Sequence, residues 1–558
     1  MNEKTKTGLE ILQAALLLGI FGDIMLRADY PGLNMFLLVG ATAVAMAMLF
    51  LRRRHAELDT NTWALLGALV FFGATFAWRD SPQLRVADVL AIVAIFAVLA
   101  LPAFRIKLAT AGVSHYILGF VSSSVNAWFA PFLLIFDDIK WTDKSRKGWS
   151  KTVFSVLRGI LIAAPLLLIF GGLFVAADAA FEGLVKRVFN VNFDTVLSHI
   201  FLTGFLSWLA AGYLRGTLVE PFGSAKAAVS VVPVPETAAE PEIVPAPASV
   251  TELPSDEPQA KTAPETENKQ RDWQNYDNSR LPKGFTLDSV EIGVVLGLVD
   301  LLFLAFVVLQ IPYLFGGMAL VQNTPDFKLA EFARRGFGEL VAVAAIVLPI
   351  LLATHWLLRK DSPIASRLFK ALAGVQIVLL FVIMASAVQR ILLLTGSLGY
   401  GMTTTRFYPL VFILWLSVVF VWFAVTVMRG SRRHFAWGAL WSALFVLGAL
   451  HVFNPDAFIA GRNIQLMKQG REYDARYNAY SLSADAVPVL MEGLPSMNPE
   501  DQCMTRDGLV HRESFMPKDF RAWNWSRSVA SEWIEPNGEN LRNWPCSSIG
   551  SREFMEGD

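Results

Sequence analysis

The sequence predicts an all-α, polytopic membrane protein, and three observations carry that reading. Of the 558 residues, 54% are hydrophobic and 17% charged, whereas soluble chains carry about a quarter charged residues. The apolar residues fall in blocks of roughly twenty, the length that crosses a bilayer as a helix. Short charged or Pro/Gly-rich pieces separate the blocks, as loops separate spans. The expected inventory is about eleven transmembrane helices, one re-entrant or hairpin segment and a small, mainly helical extracytoplasmic C-terminal domain.

The first four spans are expected at 9–25, 34–51, 62–78 and 86–101, with Trp63 and Trp78 at the two ends of the third, where interfacial aromatics belong. Lys4 and Lys6 precede the first span, Arg52, Arg53 and Arg54 follow the second, and Arg105 and Lys107 follow the fourth. The intervening loops carry fewer basic residues, so the positive-inside rule puts the N-terminus in the cytoplasm. The opening MNEKTKTG runs straight into an apolar block without a small-residue cleavage site, so no removed signal peptide is expected.

Segment 109–136 is ambiguous: it is apolar but interrupted by Ser122, Ser123, Ser124, Asn126 and Pro131. The lysine-rich stretch that follows belongs in the cytoplasm, so the segment reads as re-entrant, or as two short crossings. Spans at 153–176 and 195–214 complete an N-terminal membrane unit, 1–218. Residues 219–284 then change to Pro, Ala, Glu and Thr, an acidic composition too poor in large apolar groups to order itself, and read as a disordered cytoplasmic linker. A second membrane unit, 285–453, holds spans at 287–311, 336–358, 369–394, 408–428 and 435–453. The odd count puts the polar remainder, 454–558, outside, with short helices at 483–494 and 526–535.

The two cysteines, Cys503 and Cys546, are the only ones in the chain and share that outer segment. A small domain in an oxidising compartment is a natural place for a disulfide between them. Balanced charge, 48 basic against 48 acidic residues, leaves no footprint for nucleic acid. No phosphate-cradling loop, nucleophile elbow or His pair of zinc spacing occurs, so no catalytic residue, metal site or cofactor is assigned. The bilayer is the one partner composition implies; oligomeric state is not legible.

Ionisable groups inside spans are the functional candidates, because they cost several kcal/mol unless paired or wetted. Asp300 lies about thirteen residues, roughly 20 Å, into its helix. Its short side chain cannot reach the interface, so it needs an inward face and either a partner from another helix or a bound proton. A Leu in its place is expected to strand such partners and destabilise the bundle by about 1–2 kcal/mol. Glu339 opens the next span, with Arg334 and Arg335 before it; Arg335 and Glu339, four apart, share a face. Gln310 is about 15 Å along the axis from Asp300. Asp178 closes the span at 153–176, and Asp23 and Arg27 are placed to pair on one face. His199, His355 and His451 read as hydrogen-bonded structural residues.

Five stretches carry a family resemblance: FGGLFVAADAAFE (170–182), FARRGFGELVAVA (332–344), RFYPLVFILWLSVVFVW (406–422), NPDAFIAGRNI (454–464) and YSLSADAVPVL (480–490). In order, and skipping the linker, they resemble a bacterial membrane family known as domain of unknown function 4173. The resemblance spans 152–528, is most distinctive in NPDA and LSADAVP, and implies a bacterial polytopic envelope protein; with the orientation read from charge, the expected location is the bacterial inner membrane with the C-terminal domain periplasmic. The resemblance brings no activity with it.

Two functional classes follow. The many spans, the buried acids and Pro165 and Pro349 within helices favour a solute or ion transporter, including a proton-coupled one. The linker and the outer domain favour a sensor or assembly scaffold that presents both to protein partners. A membrane-embedded enzyme ranks third, for want of a catalytic constellation.

Overall fold

The computed structural model describes residues 3–53, 59–140, 193–219, 286–322, 337–358, 363–393, 395, 401–514 and 518–546. Among them the architecture is all-α, the one extended pairing being an isolated bridge between Leu287 and Leu358. The expected span at 153–176, the linker 219–284, Asp178, Arg334 and Arg335 lie outside the described residues.

Eleven described helices are long and apolar enough to cross a membrane. They are α1 (Glu3–Leu26), α2 (Leu33–Arg53), α3 (Thr60–Trp78), α4 (Pro82–Leu99), α5 (Val113–Leu133), α6 (Phe193–Leu218), α7 (Ser289–Gln322), α8 (Phe337–Leu357), α9 (Pro363–Leu392), α10 (Thr404–Thr426) and α11 (Phe435–Phe453). Local signals set several boundaries. Asp59 accepts the Thr62 amide at 2.8 Å and caps α3, while Pro82 stands in the first turn of α4, where its missing N–H costs nothing.

Ion pairs orient the bundle. Arg53, at the end of α2, meets Glu3 and Glu10 of α1 at 2.9 and 2.8 Å, so these termini share one end, here the proximal end. The α3–α4 turn, Arg79–Asp80–Ser81, is then distal. Where the sequence left a re-entrant segment or two short crossings open, α5 is one continuous helix that runs on through a wide turn, Leu134–Asp138. Near its start Gly119 abuts the Ala97 carbonyl of α4, and at its end Asp138 takes Lys4 of α1 at 2.8 Å and Arg215 of α6 at 2.6 Å. Both ends therefore lie proximally, and the helix passes across the bundle's end. Midway, a Cβ on Gly212 of α6 would meet the Asn126 carbonyl at 2.3 Å. Only glycine lets the two backbones cross there.

Two apolar cores fill the bundle. One joins α1–α6 around Ile11, Met46, Leu65, Leu69 and Ile95, with a face of α11 closing it through Leu444. The other joins α7–α10 around Leu296, Ala344, Phe369, Leu380 and Phe420. The remaining helices form a distal domain with its own core of Ile459, Val487, Leu490, Leu509 and Ile534. These are α12 (Pro455–Lys468), α13 (Val487–Gly493), α14 (Pro499–Ser514), α15 (Trp525–Ile534) and α16 (Gly538–Arg542). A disulfide joins Cys503 on α14 to Cys546 beyond α16, with Cα atoms 5.6 Å apart.

Candidate functional sites in the bundle and at the distal junction

The turn from α11 into the distal domain is written in the NPDA motif. Asn454 adopts φ 58°, a left-handed conformation that asparagine tolerates. Its amide closes α11 on Leu450, its side chain accepts the Ala457 amide, and Pro455 starts α12. This redirects the chain and brings Asp456 over the bundle. Asp456 Oδ2 accepts the Ser483 amide at 2.9 Å, which ties NPDA to LSADAVP.

LSADAVP in turn reaches the α3–α4 turn. Asp485 accepts from Arg79 Nη1 at 3.1 Å, the Asp80 amide at 2.8 Å and the Ser483 hydroxyl at 3.0 Å. The Ser526 hydroxyl bridges Asp485 and the Trp78 carbonyl. Asn524 donates to the carbonyls of Phe76 and Arg79 at 2.8 and 2.9 Å, and the Leu33 amide donates to the Trp523 carbonyl. Asp80 pairs with Arg85 and lies 3.3 Å from Arg527 Nε. On the other flank the Thr404 amide donates to the Tyr477 hydroxyl at 2.7 Å, and Asn463 grips Met402 through both its amide and carbonyl. The distal domain is thus bonded to the ends of α2, α3, α4 and α10. Burial holds the Asp456 carboxyl above its ordinary pKa, with Asp485 and Asp80 adding to the effect and Ser483 opposing it.

One layer deeper, Asp88 of α4 bridges two helices: His451 Nε2 of α11 lies 2.9 Å from Oδ1, and the Thr75 hydroxyl of α3 lies 2.9 Å from Oδ2. His451 and Asp88 are buried, and Arg79 Nε donates to the His451 carbonyl at 2.7 Å. His451 Nδ1 has no hydrogen-bond partner among the described residues. Another acid, Asp23, is held by Arg27 at 2.9 Å and by His199 of α6. Sequence reasoning assigned Asp80, Asp88 and Asp485 no role. The signal for Asp80 and Asp88 was an acid in or beside a span end, and for Asp485 its place in LSADAVP, neither of which says which pairs meet.

Asp300 stands apart. It is 7% exposed on α7, within the second core, and neither carboxyl oxygen has a hydrogen-bond partner among the described residues. Gln376 of α9 is 0% exposed, and both of its amide atoms are unpartnered as well. The Leu287 amide bonds the Leu357 carbonyl just before α9, so α7 and α9 start at the same end and run in parallel. Gly293 sits against Leu368, and seven residues on from each are Asp300 and Val375. Asp300 and Gln376 are therefore level on adjacent helices. This corrects the expectation that Leu at 300 would strand inter-helix partners: no described residue hydrogen-bonds to the acid. Gln310 lies on α7 and Glu339 in the first turn of α8; their side chains are outside the described residues.

Among the described residues no group of three His, Cys, Asp or Glu is placed to hold a metal ion. Comparison with curated proteins and with solved structures finds no match to either. A family model does match, described as domain of unknown function (DUF4153), over residues 66–493. It takes in most of α3 and all of α4 and α5, which lie before 152 and which the motif resemblance left out, and the resemblance to domain of unknown function 4173 is not confirmed. Since the match covers well over half of the chain, the protein belongs to the family of domain of unknown function 4153.

Proposed function

We propose that this is a proton-coupled transport-type protein of the bacterial inner membrane, with Asp300 as the group that takes up and releases the coupling proton. The observation that carries the reading is that Asp300 of α7 and Gln376 of α9 stand level, both buried, with no side-chain hydrogen-bond partner among the described residues. A carboxyl group in that position costs free energy that packing does not return, and it persists where it serves an ion pathway. In the protonated form it can donate to an amide oxygen, and in the ionised form it can accept from an amide nitrogen. The Gln376 amide, level on the neighbouring helix, carries both kinds of group, and neither side chain is bonded to the other in this arrangement. The orientation that goes with this reading has the N-terminus and linker 219–284 cytoplasmic and the distal domain periplasmic.

The test is proton uptake into proteoliposomes holding a pH-sensitive dye, driven by an imposed potential. Flux above empty vesicles, lost in Asp300→Asn and reduced in Gln376→Leu, is the expected outcome. Parental flux in Asp300→Asn overturns the assignment.

A second reading, a sensor or scaffold, is favoured by the distal domain's bonding to four span ends. Protein partners that co-purify with the parent and are lost on deleting 219–284, with no flux in any variant, would establish it instead.

A further inference from the structure

Beside the distal junction lies a cleft of about 310 Å³ that neither reading uses. Asp80, Pro82 and Arg85 form its bundle wall, and residues 479–483 with Gly508, His511 and Arg512 form its distal-domain wall. Its size is that of a pocket for a small molecule or a headgroup. Gly508 explains the wall's shape: a Cβ there would meet Ala479 Cβ at 2.6 Å, so only glycine lets α14 come so near. One turn on and on the same face, Arg512 donates to the Ala479 carbonyl at 3.1 and 2.7 Å and also to the Leu482 carbonyl.

The charges around this cleft do not balance. Asp485 is matched by Arg79. Asp80 alone serves two guanidinium groups, Arg85 and Arg527. Arg512 has carbonyl partners and no carboxylate within ion-pair distance among the described residues. Burial lowers its pKa, with Asp80 and Asp456 acting the other way from farther off. Arg85 Nε, also at the cleft, is buried without a hydrogen-bond partner. Fixed guanidinium groups with donors left over and a cation surplus fit an oxyanion, which each can hold through a charge-assisted hydrogen bond from a nitrogen the protein leaves unused.

We propose that this cleft binds a phosphate-type oxyanion through Arg512 and Arg85. The cleft opens beside the first turn of α4, so the group can come from a free solute or from a lipid headgroup. This site is independent of Asp300 and of any transport activity.

The experiment is thermal unfolding of the full-length protein in a non-ionic detergent, with inorganic phosphate titrated against chloride at constant ionic strength. A saturable, phosphate-specific rise in Tm is expected, with the half-saturating concentration raised about tenfold or more in Arg512→Gln. Because Arg512 also holds two carbonyls, Ser481→Trp serves as the second variant. It fills the cleft, leaves those bonds intact, and is expected to abolish the phosphate effect while leaving the phosphate-free Tm near the parent's. A parallel arm compares nanodiscs of phosphatidylcholine with and without phosphatidylglycerol. Stabilisation by phosphatidylglycerol that Ser481→Trp removes identifies a headgroup as the source, whereas a phosphate response alone identifies a solute. A parent that responds to neither probe, or a response of equal size in Ser481→Trp, overturns the proposal.

Discussion

The distal junction and the seam between α7 and α9 bury polar groups equally well and treat them in opposite ways. At the junction each carboxylate accepts at least one hydrogen bond or ion pair: Asp485 from Arg79, Asp80, Ser483 and Ser526, Asp88 from His451 and Thr75, and Asp456 from Ser483. In the seam, Asp300 and Gln376 accept and donate nothing among the described residues. A network in which every carboxylate is bonded repays much of its desolvation and fixes where the distal domain sits, although Asp456 Oδ1, His451 Nδ1, Arg85 Nε and Arg527 Nη1 have no hydrogen-bond partner among the described residues. An unsatisfied pair holds nothing in place. Burial alone therefore does not tell a structural acid from a working one; the partner count does.

The largest break in that comparison should come from Asp485→Ala. It removes the acceptor of Arg79 Nη1, the Asp80 amide and the Ser483 hydroxyl, and should cost about 3–5 kcal/mol. Thermal unfolding and faster proteolysis within the distal domain would show it; an unchanged Tm would mean the network does not clamp the domain. Next, Cys503→Ser opens a loop whose ends are 43 residues apart and should cost the distal domain roughly 3–4 kcal/mol. The loss should be confined to that domain, so hydrogen exchange in α1–α11 should stay as in the parent.

Asp300→Leu should have the opposite sign. Removing an unsatisfied polar group should leave stability unchanged or raise it by about 1–2 kcal/mol. A loss like that of Asp485→Ala would erase the distinction between the two regions. The smallest effect is on pH dependence and concerns Asp456, whose pKa burial raises in the folded state. A raised carboxyl pKa means the folded protein binds the proton more tightly than the unfolded chain does. Its stabilising contribution is thus fully present below the unfolded pKa of about 4 and is lost as pH rises through the folded value. Asp456→Asn should flatten that part of the Tm–pH curve, and an unaltered slope would show that another group sets it.

Much of this architecture was readable one stretch at a time. Blocks of apolar residues located the helices, because backbone hydrogen bonds must close within each span. Asp23 and Arg27 are four apart, so helical geometry alone brought them together. Two cysteines confined to the C-terminal segment were enough to point to the bond between Cys503 and Cys546. Asp300 stood out because a charge so far from either helix end is costly whatever surrounds it.

Tertiary structure decided everything that depends on which helix faces which. Residues 113–138 had the length and hydropathy of a crossing, yet contacts to Gly212 and ion pairs to Lys4 and Arg215 lay the helix across the proximal end. Asp88 and His451 are 363 residues apart in sequence and 2.9 Å apart in space. Asp485 met the α3–α4 turn, Asp456 met Ser483, and Gln376 came level with Asp300. The physical reason is shared. A span exposed to lipid on one side and protein on the other is apolar all round, so its sequence carries a strong signal for insertion and almost none for rotation. Partners are set by helix order and by close approach at small residues, which are properties of the assembled bundle and not of any one stretch.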